Sequence, residues 1–92
     1  MKEILESIES GKLYCWADYN CASYSPTGID GMFCYFIFRP QGASLYYSFV
    51  LAMNPSSTKK VYFYSYDSNK WFKLLSNNDI TLSDTTLNIN LN

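Results

Sequence analysis

Met32-Phe33-Cys34-Tyr35-Phe36-Ile37-Phe38-Arg39, then Pro40-Gln41-Gly42-Ala43, then Ser44-Leu45-Tyr46-Tyr47-Ser48-Phe49-Val50-Leu51-Ala52-Met53: two apolar-aromatic runs joined by a turn-forming tetrapeptide decide the fold. Both runs are rich in the aromatic and β-branched residues that suit a pleated surface, and both are bounded by turn residues. They predict two antiparallel strands, 32–39 and 44–53. Neither approaches the roughly 20 apolar residues that a membrane helix needs, so no membrane span is expected.

Side chains alternate between the faces of a strand, so a trial register sorts every residue onto one of two sides. Placing Arg39 opposite Ser44 sets Phe38 against Leu45, Phe36 against Tyr47, Cys34 against Phe49 and Met32 against Leu51. Two further strands follow, 59–66 and 71–75, linked by Asp67-Ser68-Asn69-Lys70, whose side chains bond their own backbone. If Leu51 meets Val61, then Phe49 meets Phe63. A turn pairing Tyr66 with Trp71 adds Phe72 and Leu74 to the same side. This phenylalanine side is the expected core.

The opposite side collects Tyr35, Ile37, Tyr46, Ser48, Val50, Tyr62, Tyr64, Tyr66, Trp71 and Lys73. An antiparallel sheet with one face in water normally carries polar residues there, whereas this side carries tyrosines and few charges. Either another part of the chain covers it or a partner does. Tyrosine offers a large, rigid contact area with a hydroxyl that tolerates water, and it is enriched where proteins bind one another. Tyr46, Tyr62, Tyr64, Tyr66, Trp71, Tyr35 and Lys73 are therefore the candidate partner-binding residues. The competing reading makes this side internal, closed by the helix, by the first strand or by curling of the sheet toward a barrel.

Outward from this centre, 12–18 reads as a first strand. A polar stretch with Gly and Pro, 19–31, is too long for a hairpin turn and reads as a loop with a role of its own. Ile4, Leu5 and Ile8 recur at helical spacing with Glu3, Glu6 and Glu9 on the wet side, and Gly11 is placed to stop the helix. The tail 85–92 alternates Leu87, Ile89 and Leu91 with Asn88, Asn90 and Asn92, the pattern of a half-buried strand. The expected fold is α+β: a short N-terminal helix on a mainly antiparallel, five- to six-stranded meander sheet. All 92 residues form a single domain, 1–92.

Composition narrows the chemistry. The chain is 48% hydrophobic and 16% charged, which predicts a folded core, and its net charge of −1 offers no basic stripe for phosphates. Lys59-Lys60 is an isolated pair. The chain has no His, so a Ser-His or Cys-His nucleophilic pair cannot be assembled. Asp79 and Asp84 could act as paired carboxylates, but turn aspartates that bond nearby amides are the simpler reading. Gly28-Ile29-Asp30-Gly31 lacks the helix and the further glycines of a phosphate loop.

Cys15, Cys21 and Cys34 match neither zinc-site nor redox spacing and are expected as reduced thiols. Acids interrupt the first ten residues, where a secretory signal needs an apolar run, so a cytoplasmic location is expected. No catalytic residue, metal or cofactor is expected. The predicted function is a small protein-binding module, of inhibitor or immunity type, that occludes another protein through its tyrosine-rich face. Two alternatives stay open on the same face: binding of a small ligand or single-stranded nucleic acid, and self-association of a structural subunit.

Overall fold

In a computed structural model, which describes residues 1–56, 59–76, 80–83 and 86–89, five strands pair in chain order into one antiparallel sheet. They are β1 (Lys12–Asp18), β2 (Phe33–Arg39), β3 (Phe49–Asn54), β4 (Lys60–Ser65) and β5 (Lys70–Ser76). Helix α1 (Lys2–Ser7) precedes them. Strands β6 (Ile80–Ser83) and β7 (Thr86–Ile89) pair only with each other, Ile80 opposite Ile89 and Leu82 opposite Leu87. The expected meander is present. The sheet stays open, with β1 and β5 as its edges, and does not curl into a barrel. Among the described residues no helix is long and apolar enough to cross a membrane.

The expected register between the two central strands is displaced by four residues. Phe38 lies opposite Phe49, Ile37 opposite Val50 and Phe36 opposite Leu51. The cause is local: Leu45–Tyr47 forms a turn of 3-10 helix instead of entering the strand, capped by the Ser44 hydroxyl, which accepts from the Tyr46 amide. Similarly, Leu51 pairs with Phe63 and Tyr64 with Trp71, each two residues from expectation. Because these slips are even-numbered, the paired strand residues keep their expected sides, whereas Leu45, expected beside Phe38, packs from the 3-10 turn against the tyrosine-side cluster. One irregular rung, Val61 opposite Leu75 followed by Tyr62 opposite Lys73, leaves Leu74 as an extra residue in β5.

The identity of the inner face is the reverse of expectation. Leu5, Ile37, Val50 and Tyr64 form one buried cluster, and Cys21, Phe33, Tyr35 and Ala52 form a second. Both lie on the tyrosine side. Helix α1 covers the first, inserting Leu5, whose full burial stabilises the fold by about 1.5–3 kcal/mol. Arg39 Nη1 donates to the Ile8 carbonyl (2.8 Å) and the Tyr66 hydroxyl donates to Glu6 Oε2 (2.9 Å), tying the C-terminal end of the helix down. Helix α1 ends before Gly11. Ile8 is already extended, and Gly11, at φ +81°, turns the chain into β1 where a Cβ would come within 3.2 Å of Gln41.

Candidate functional site

The loop between β1 and β2 covers the second cluster, and its hydrogen bonds explain its shape. Asp18 accepts from the Asn20 amide (3.1 Å) and from the Tyr24 hydroxyl (2.6 Å), and Asp30 accepts from the Ala22 amide (3.0 Å). The Cys21 thiol, fully buried, donates to the Gly31 carbonyl across the loop (3.3 Å). Ser25 Oγ donates to the Ile29 carbonyl (2.9 Å). The loop closes on itself and lays Cys21 and Tyr24 over Tyr35 and Trp16. Trp16 Nε1 donates to the Tyr24 hydroxyl, and Trp71 Nε1 to the Tyr24 carbonyl (3.1 Å).

These covers decide where the candidate partner-binding residues lie. Tyr35 is fully buried, and Tyr64 nearly so, its hydroxyl donating to Asn69 in the β4–β5 turn. Tyr62 is half-buried, edge-on to Phe33. Tyr66 and Trp71 are half-buried and bonded to Glu6 and Tyr24, as described. Only Tyr46, edge-on to Tyr66, and Lys73 stand in solvent. The seven residues do share one side, but most of that side is interior.

Ionisation follows the same division. Burial raises the phenol pKa of Tyr35 and of Tyr64 above the usual tyrosine value. For Tyr24, burial comes first and the hydrogen bond to Asp18 adds to it. For half-buried Tyr66, the bond to Glu6 is the main cause of its rise.

The open face is the phenylalanine side. Three rows cross it: Leu13–Phe38–Phe49, then Cys15–Phe36–Leu51–Phe63–Phe72, then Ala17–Cys34–Met53–Val61. No position in these rows is charged, and the only heteroatoms are sulfurs. Leu13, Phe36, Phe38, Phe49, Phe63 and Phe72 are between 38% and 65% exposed. Their strand alternation was readable, but nothing in the alternation marked this side as the wet one. The overlooked signal lies in the polar tips. Tyr and Trp that leave solvent favour hydrogen-bond partners, and on the tyrosine side the loop supplies them to Trp16 and Trp71, the helix to Tyr66 and the β4–β5 turn to Tyr64.

Among the described residues there is no enclosed cavity and no group of side chains spaced to hold a metal ion. Asp79 and Asp84, the candidate carboxylate pair, lie outside the described residues. The three cysteines are free: Cys15 exposed, Cys34 half-buried and Cys21 buried. Comparison with protein-family models, with curated proteins and with solved structures finds no match to this chain.

Proposed function

We propose that this chain is a non-catalytic protein-binding module whose working surface is the phenylalanine side of the five-stranded sheet. The observation that supports this reading is the unbroken run of exposed apolar side chains from Leu13 on β1 to Phe72 on β5, with no charge among them. At roughly 200 Å² per large side chain, the exposed parts of Leu13 and the five phenylalanines come to about 600 Å². That lies at the upper end of the range for the largest apolar patch of a typical monomer, about 300–600 Å², and patches of this size are often contact sites. Recognition of nucleic acid is disfavoured on this face, because stacking surfaces for single strands work together with a cationic groove, and the rungs of this side carry a single cation, Lys70, at their margin beside Phe72.

The exposed thiol of Cys15, in the central row of the face, reports on the contact directly. Alkylation of Cys15 in intact cells of the source, compared with the purified chain at high dilution, is expected to be slower in the cells. Equal rates in the two settings would remove the reading.

A further inference from the structure

We infer that the occupant of the phenylalanine face is the same face of a second copy of this chain. The inference rests on the protein-binding reading above and names its partner. Three observations point to a second copy.

The first is area. An exposed apolar surface of about 600 Å² supplies most of the roughly 800 Å² per partner that a standard stable interface buries, and it lies on one continuous sheet face. The second is chemistry. Phe36, Phe38, Phe49, Phe63 and Leu13 present no donor, acceptor or charge, so an occupant that brought polar groups would bury them unpaired. A second copy brings none. The net charge of −1 opposes the approach of two copies only weakly.

The third is shape and layering. The tyrosine side already carries α1 and the 19–31 loop, so among the described residues the sheet lacks a layer on one side only, and two such sheets stacked face to face complete a sandwich. The same patch meets itself across a two-fold axis, which closes the assembly at two copies.

The experiment follows the mass and Cys15 alkylation of the full chain across a thousandfold range of concentration, for the wild type and for the variants Phe49→Asp and Tyr46→Ala. Phe49 is 61% exposed, so the charge is tolerated in the folded monomer, and circular dichroism checks this. Leu13→Lys serves as the second variant should Phe49→Asp fail to fold. The expected result is a dimer in which Cys15 becomes at least tenfold slower to alkylate as concentration rises. Phe49→Asp should be monomeric with Cys15 open throughout, and Tyr46→Ala should behave as wild type.

A dimer that survives Phe49→Asp and dissociates with Tyr46→Ala overturns the inference in favour of the tyrosine side. A wild type that stays monomeric with Cys15 open, while Cys15 is protected in cells, overturns the second copy and leaves the protein-binding reading standing with a different protein as partner. Protection of Cys15 in the purified monomer at every dilution assigns the cover to this chain and overturns both.

Discussion

Tyr64 and Trp71 face each other across β4 and β5 with ring centroids 5.3 Å apart, on the side covered by α1. The adjoining rung, Phe63 opposite Phe72, stacks at 5.4 Å on the side left bare. One step along the same ladder separates interior from solvent. The two rungs are nearly equal in ring content and distance, and differ in what lies over them.

Truncation on the two sides should therefore have opposite consequences. Tyr64→Ala removes a buried aromatic and is expected to cost about 3–5 kcal/mol of stability. Phe49→Ala, measured on dilute protein, should stay within about 1 kcal/mol of wild type. Urea denaturation of both variants checks this, and the reverse ranking would mean that the phenylalanine side is the core.

Two tyrosine hydroxyls in the interior are predicted to differ in worth. The Tyr64 hydroxyl donates to Asn69, so Tyr64→Phe is expected to cost about 1 kcal/mol. The Tyr35 hydroxyl has no hydrogen-bond partner among the described residues, so Tyr35→Phe is expected to be neutral or slightly stabilising. A loss of stability in Tyr35→Phe as large as in Tyr64→Phe would show that the Tyr35 hydroxyl is bonded after all.

The alternation of 32–39 and 49–53 sorted residues correctly into two sides even though each pairing was misjudged, because the slips were by two or four residues. Which side is wet lay beyond that pattern. Both sides are apolar, so a period of two has no contrast to report, and the decision rests on Leu5 and Cys21, which reach the sheet from the helix and the loop on either side of β1, outside the alternating runs. The candidate site inherited the error. Tyr35 and Tyr64 were legible as neighbours of Trp71 on one side, but not as interior. β6 was missed because Ile80-Thr81-Leu82-Ser83 is short and follows a cluster of turn residues.

Alkaline pH should unfold this protein through its phenols. Tyr24, Tyr35 and Tyr64 hold their protons more tightly when folded, so the native state binds more protons than the unfolded state once pH passes the ordinary tyrosine value of about 10. Their contribution is fully present below that pH and is lost as pH rises through the raised folded values. Denaturation midpoints taken across this window should fall, and phenolate absorbance of these residues should appear together with unfolding. Ionisation of all tyrosines ahead of unfolding would contradict their burial.

Thiol reactivity should follow position. In dilute native protein Cys15 is expected to alkylate first and Cys34 more slowly, while Cys21, held under the loop, should react only as the chain unfolds. Denaturant should reveal three reduced thiols, and peptide mass mapping assigns each. Early reaction at Cys21 would mean that the 19–31 loop opens in the native state.

The chain-order meander also sets the course of folding. β2 through β5 join through short connections, so their pairings are local and close at little entropic cost, whereas β1 can meet β2 only after residues 19–32 have been gathered. The ladder from β2 to β5 is therefore the natural nucleus, with β1, its loop and α1 arriving after the rate-limiting step. Changes at Leu51 or Phe63 should slow folding, while changes at Leu5 or Cys21 should chiefly hasten unfolding. The half-life of the native state is thus governed by the N-terminal third of the chain, and its rate of formation by the strands that follow.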